Sequence, residues 1–211
     1  AGTGIRQLGQ ELKREFGDRP MRMTILVSHT HWDHIQGFPF FAPAYDPKNQ
    51  VRILAFEGPR KGIEATLSLQ MESPYFPISM DEMPGNIRFE ELKSMEFDLG
   101  SIHVKAAFMN HPGVCVGYRL YTSAGSICYF PDNELYAKLR RLRGAQEGGQ
   151  TEIFARNQDD KLLDFVDGAD AVFSHAQYDA QEYPQHIGWG HSCADDVVEF
   201  ALGANIKQLY L

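Results

Sequence analysis

The sequence predicts an α/β layered fold in a single domain spanning residues 1–211, and three observations carry that expectation. Short apolar runs of strand length recur, as at residues 23–28 (MTILVS) and 171–174. Elsewhere apolar residues repeat at helical spacing: Ile5, Leu8, Leu12 and Phe16 in one segment, and Ala194, Val197, Val198 and Ala201 in another. A chain of 211 residues that is 43% hydrophobic and 23% charged is long and apolar enough to enclose a core. The strands are expected to form hairpins first and to alternate with helices later, the mixture of a layered α/β fold.

Taken in order, residues 5–16 predict a helix, and residues 23–28 a buried strand that runs directly into His29-Thr30-His31-Trp32-Asp33-His34. Residues 51–56 form a second apolar run of strand length, and residues 61–71 have helical character ended by Pro74 and Pro77. Residues 101–110, 114–122 and 126–130 are rich in β-formers, and Ser123-Ala124-Gly125 predicts a hairpin turn between the last two. A basic helix is expected over 134–143, a flexible loop over 144–150 and a short helix over 162–166, followed by the strand at 171–174. In the last helix, 192–203, Ser192 is the expected N-cap, with Asp195 completing a weak capping box and Gly203 as the C-cap. Residues 206–211 alternate as a strand.

Composition excludes several classes. No apolar run approaches the ~18 residues of a membrane span, and no secretory segment lies near Ala1. Lys and Arg number 20 against 28 Asp and Glu, a formal charge of −8. That balance disfavours nucleic-acid binding by bulk electrostatics, so a phosphate-bearing substrate needs local positive charge such as a metal ion. The three cysteines, Cys115, Cys128 and Cys193, lie outside any C-x-x-C spacing and form an odd number. They predict buried thiols and a cytoplasmic, reducing setting. Both ends read as cuts within a fold: the chain opens Ala1-Gly2-Thr3-Gly4 with no strand before it, and closes on an apolar stretch with no turn after it.

The chemistry concentrates in His29-x-His31-x-Asp33-His34, four metal-capable side chains within six residues at the end of a buried strand. Imidazole and carboxylate suit zinc, manganese or iron. His29 and His31 can point one way from an extended segment, whereas Asp33 and His34 diverge from that direction if the chain turns, and so can serve a second ion. Such a motif needs distant partners. His111, in Asn110-His111-Pro112-Gly113, and Asp132, in Phe130-Pro131-Asp132-Asn133-Glu134, sit at equivalent strand-to-loop positions. Alone each reads as a turn former or cap; with the cluster, each reads as a ligand.

HTHWDH, NHPG, PDNE and GWGHS, in this order, resemble the metallo-β-lactamase superfamily of metallohydrolases, in the branch of ribonuclease Z and the cyclic phosphodiesterases. The resemblance spans essentially the whole chain, and Gly190-His191-Ser192 carries the branch assignment. It implies an αββα sandwich with a dinuclear site at one edge and, often, a homodimer. His29, His31 and His111 would hold one ion, Asp33 and His34 the second, and Asp132 would bridge. A further family histidine follows the final strand, where this chain ends at Leu211. The resemblance implies two divalent ions, zinc first and manganese or iron as alternatives, that make hydroxide available near neutral pH for attack on phosphorus. With Asp33 and Asp132 the site carries about +2, enough to draw an anionic phosphodiester to an acidic protein.

Asp33 and His191 are the catalytic candidates, and His191, at the start of the last helix, is matched to the branch's transition-state helper rather than to a metal ligand. His186 is read either as lining the substrate pocket or as a loop histidine, and His175 and Asp179 either as partners of the ligands or as loop polars. His103, alternating within a strand, reads as structural. Lys138, Arg140, Arg141 and Arg143 offer either phosphate contacts or a solvated helix face. Trp32, Phe38, Phe40, Phe41 and Tyr45 offer either core packing or a base-stacking surface. The leading expectation is a phosphodiesterase acting on a small or cyclic phosphodiester, with nucleic acid and membranes disfavoured as partners. The alternatives are a thioester or other acyl hydrolase on the same scaffold, or a metal-binding regulatory domain of a longer protein.

Overall fold

A computed structural model describes residues 1–56, 62–136 and 149–211. The basic segment with Lys138, Arg140, Arg141 and Arg143, and most of the loop expected at 144–150, lie outside the described residues. The chain divides into two compact units, Ala1–Lys93 and Ser94–Leu211.

In the first unit, helix α1 (Gly4–Phe16) leads to strand β1 (Arg22–Val27), the short helix α2 (Trp32–Ile35), β2 (Gln50–Ala55), α3 (Ile63–Leu69) and β3 (Asn86–Glu91). The three strands form a parallel sheet in the order β1-β2-β3. The expected opening hairpin is therefore absent here: β1 and β2 are joined by a crossover through α2 and two 3-10 turns, Phe38–Phe40 and Ala42–Tyr45. Such a connection leaves β2 flanked on both edges, and Val51, Ile53, Leu54 and Ala55 are all buried. Phe38 and Phe41 pack into the same core, each contributing about 2 kcal/mol by burial, whereas Trp32 and Phe40 face outward. Ile5 and Leu12 of the expected α1 stripe pack against this core and Phe16 is half-buried, while Leu8 departs from it. Leu8 is exposed, and the buried position is Gly9, where a Cβ would lie 2.9 Å from the Pro43 ring. Absence of a side chain lets the helix approach that turn.

The second unit contains β4 (Glu96–Leu99), β5 (Ile102–Phe108), β6 (Val116–Thr122), β7 (Gly125–Phe130), α4 (Gln150–Val166), β8 (Ala171–Ser174), α5 (Ala194–Gly203) and β9 (Leu209–Tyr210). They build one sheet in the order β4-β5-β6-β7-β8-β9. β4 to β7 pair antiparallel, including the expected hairpin of β6 and β7, and β8 and β9 add in parallel. His103 is on β5 and bonds Asp98 of β4 through Nδ1 at 2.8 Å, an exposed cross-strand pair. Cys128, Val166, Ala169 and Val172 lie at the centre of this unit's core.

Four local expectations are corrected here. The helix expected at 162–166 begins at Gln150: in its first turns Ile153 and Phe154 are exposed while Glu152, Ala155 and Asp159 are buried, so no apolar stripe announces it. Ser192 does not cap α5. Its hydroxyl donates to the Asn133 carbonyl at 2.9 Å and accepts from the Leu135 N–H at 3.1 Å, and Cys193 occupies the cap position. Gly203 is the last helical residue, with Ala204 as C-cap, and the final strand contracts from 206–211 to Leu209–Tyr210. Arg119, buried on β6, donates from Nη1 to the carbonyls of Phe165 and Asp167, so it satisfies oxygens that the end of α4 leaves open.

Burial pushes the Cys128 thiol up to about 12, and burial together with the charge of Asp132 does the same to Cys115. Thiolate is the reactive form. Ellman's reagent at pH 8 is therefore expected to label neither residue in the folded chain within minutes and both after denaturation; rapid native labelling would contradict this packing. Among the described residues, no helix is long and apolar enough to cross a membrane.

Candidate metal centre and catalytic loop

The first unit presents its ligand candidates at the end of β1. Ser28 and His29 are buried, and His29 Nδ1 lies 3.1 Å from the Ser28 hydroxyl. His31 occupies the N-cap position of α2, and the chain turns there, as the alternation required. The turn does not carry His34 away. Its ring centroid is 4.1 Å from that of His29, closer than the 4.8 Å between His29 and His31. Asp33 Oδ2 stands 3.1 Å from His34 Nε2, which makes a coupled carboxylate–imidazole pair on the exposed side of the turn.

In the second unit, topology explains the convergence. β5 and β7 are each antiparallel to β6, and β8 is parallel to β7, so these three strands run the same way. Their C-terminal ends share one sheet edge, and the residues just beyond them include His111, Asp132 and His175. Asp132 is buried at 2% exposure. Its carboxylate lies 3.7 Å from His111 Nε2, 3.5 Å from His175 Nδ1 and 3.8 Å from His191 Nδ1. One ligand atom from each of Asp132, His175 and His191 falls within 4.8 Å of the others.

These separations exceed hydrogen-bond lengths. Ligands bound at about 2.1 Å in a tetrahedral arrangement stand roughly 3.4 Å apart, close to what is seen. The donor set, two imidazoles and a carboxylate, suits zinc, manganese or iron. His175 Nε2 is buried without a hydrogen-bond partner, a further polar atom held at this edge. The residues present therefore fit a divalent ion. His111 has a defined tautomer: Nδ1 is 2.9 Å from the Gly190 carbonyl, which only accepts, so Nδ1 carries the proton and Nε2 offers its lone pair toward Asp132.

His191 follows Gly190 in the loop that enters α5. His186 is one ring further out: it stacks on Tyr178 at 4.3 Å and meets the edge of Trp189 at 5.0 Å, while Tyr178 lies 6.1 Å from His191. Trp189 is exposed. Asp179 turns away from this group, accepting the N–H groups of Gln181 and Glu182 within its own loop.

Two participants are not evident from spacing. Tyr178 gives no signal beyond being an aromatic in a loop. Glu134 looks like a helix-entry acid, but its buried carboxylate accepts from the Tyr183 hydroxyl and from the N–H groups of Gly188 and Gly190. Burial first, and then the bond to Glu134, push the Tyr183 phenol up, so it stays a donor at any working pH.

Comparison with known proteins bears on the family and the fold. A family model described as a beta-lactamase superfamily domain matches residues 1–147. A ribonuclease Z of Lactococcus lactis is 24% identical over 224 residues, covering 92% of this chain and 71% of that protein. The human tRNase Z short form superposes with a TM-score of 0.57 at 19% identity, over 88% of this chain and 70% of that one. A diphosphatase of the PhnP family gives a TM-score of 0.58 at 17% identity, over 95% of this chain; the chain spans 63% of that protein, under two thirds of its length. The mixed α/β fold is the one these proteins share, and the chain belongs to the metallo-β-lactamase superfamily, in the branch of hydrolases that contains ribonuclease Z.

Proposed function

We propose that the protein is a divalent-metal-dependent phosphodiesterase acting on a small or cyclic phosphodiester. The observation that supports it most is the convergence of Asp132, His175 and His191 within 4.8 Å at one sheet edge, with His111 alongside. By family correspondence, His29, His31 and His111 would hold one ion and Asp33 and His34 a second, with Asp132 as a ligand available to either. Zinc is the first candidate for both, with manganese or iron as alternatives. Divalent ions, when bound, supply hydroxide near neutral pH and polarise phosphoryl oxygens.

The chain's own residues do the rest. His111 is held ready for coordination by its bond to Gly190. His191 delivers a proton or hydrogen bond to the departing alkoxide, and it stands 3.8 Å from the Asp132 carboxylate. His175 stands 3.5 Å from the opposite Asp132 oxygen and adds a further imidazole donor at this edge. His186, braced between Tyr178 and Trp189, lines the approach for the part of the substrate beyond the phosphate.

A net charge of −8 favours a small substrate, because a long polyanion would be repelled over most of its length. The ribonuclease Z relatives are named for RNA, so an RNA substrate is an arm of the test. Three buried cysteine thiols support a reducing, cytoplasmic setting.

Zinc- or manganese-loaded protein is expected to hydrolyse bis(p-nitrophenyl) phosphate, to lose that activity on chelation and to regain it on metal return. A panel of cyclic nucleotides, a short RNA and a thioester ranks the substrates. Metal-loaded protein that turns over the thioester and no phosphodiester ends this reading.

A further inference from the structure

We propose that Glu134 is a positioning residue that sets the orientation of His111 through Gly190, and so the geometry in which the second unit offers its metal ligands. The inference rests on the metal site proposed above. Glu134 is 1% exposed and lies two residues beyond Asp132. Its Oε1 accepts from the Tyr183 hydroxyl at 2.7 Å and the Gly188 N–H at 2.9 Å; its Oε2 accepts from the Gly190 N–H at 2.8 Å and again from Gly188 at 3.0 Å. Gly188 and Gly190 have φ of 86° and 87°, in the left-handed region that glycine adopts at little cost. In that conformation the loop turns both N–H groups onto one carboxylate, an anion-binding nest filled by a side chain of the same unit.

Gly190 then faces two ways. Its N–H donates to Glu134, and its carbonyl accepts from His111 Nδ1 at 2.9 Å. The peptide segment is thus pinned from one side by the carboxylate and pins the imidazole on the other. No bulkier residue fits this relay, because a Cβ on Gly190 would stand 2.6 Å from His111 Nδ1 and 2.5 Å from the Pro112 ring. Both carboxylate oxygens are committed to donors of this loop, so Glu134 acts as an anchor while Asp132 faces the imidazoles. Hydrogen bonds to an ionised acceptor are roughly twice as strong as neutral ones, and a carboxylate buried without them would be costly. One strand end, that of β7, therefore supplies both a ligand and the group that aligns a second ligand and fixes the loop leading to His191.

Glu134→Gln is the direct test, because it keeps the shape and turns an NH2 group toward N–H donors. In metal-free protein, the His111 Nδ1–H signal in 15N-edited spectra, assigned by its absence in His111→Gln, is expected in the wild type and lost or displaced in Glu134→Gln. Zinc affinity by chelator competition is expected to fall about 10- to 100-fold, the range for loss of a partner that orients a ligand. A folded Glu134→Gln with the wild-type signal and wild-type affinity overturns the proposal. If that variant does not fold, Tyr183→Phe removes one donor and keeps the ring; both readouts should then move in the same direction by about 2- to 5-fold in affinity, and a folded Tyr183→Phe with neither moved overturns it. A wild type that binds no metal would instead sink the proposed function, and the proton signal would still report whether Glu134 orients His111.

Discussion

Replacing Asp132 by alanine is expected to reduce phosphodiester turnover by about 10³-fold or more, the equivalent of several kcal/mol of lost charge stabilisation. The Asp132 carboxylate stands within 4 Å of three imidazoles. Removing it deletes an anionic ligand and leaves His111, His175 and His191 facing a gap they cannot close. Metal content measured on the purified variant should fall together with activity. The fold should persist, because the backbone around Asp132 is tied elsewhere: Glu134 N–H donates to the Asn110 carbonyl, Asn110 N–H donates to the Asn133 side chain, and Ser192 holds the Asn133 carbonyl. A thermal melt close to wild type therefore separates loss of chemistry from loss of structure. Asp132→Ala that keeps full metal and near-normal turnover would remove Asp132 from the centre altogether.

What could be read from the sequence follows from the range over which each determinant acts. HTHWDH is local: six consecutive residues after an apolar strand state their chemistry without reference to anything distant, and the structure does bring the His29, His31 and His34 rings together. His111 and Asp132 were legible because the ends of strands β5 and β7 were, and these strands share a direction. His175 sits after a third such strand, yet a lone histidine in a loop carries no mark of what it will face, and only the parallel pairing of β8 to β7 brings it to Asp132.

Glu134 was illegible for a similar reason. Its partners lie 49 to 56 residues along the chain, and nothing in Pro131-Asp132-Asn133-Glu134 announces that a glycine loop will close over the carboxylate. Ser192 shows the opposite failure. Its local context is that of an N-cap, but a buried site 57 to 59 residues away uses the hydroxyl instead. The first turns of α4 escaped detection because periodicity registers apolar residues, and that helix buries Glu152 and Asp159. β3 and β4 are short strands at sheet edges, rich in charge, where hydropathy has least contrast.

His191→Ala is expected to lower the rate by about 10²–10⁴-fold on substrates with alkoxide leaving groups, and by far less on p-nitrophenyl esters. The difference is the point of the experiment. An alkoxide is too basic to depart without a proton, whereas p-nitrophenolate leaves unaided, so a proton donor matters for one and hardly for the other. Geometry allows a competing role: His191 Nδ1 lies in the same cluster as the Asp132 carboxylate and His175, where it can serve as a ligand. The two roles separate on metal content and on leaving-group dependence together. Loss of a ligand depletes the metal and slows both substrate classes alike. Loss of a proton donor leaves the metal in place and steepens the dependence of rate on leaving-group basicity. The loop favours the second outcome. His191 follows Gly190, which is already fixed by Glu134 and His111, and its side chain is more exposed than that of Asp132, at 21% against 3%. A residue held on a braced loop and open to one side is placed to meet a substrate. Equal slowing of both classes with loss of metal would make His191 part of the ion's cage instead.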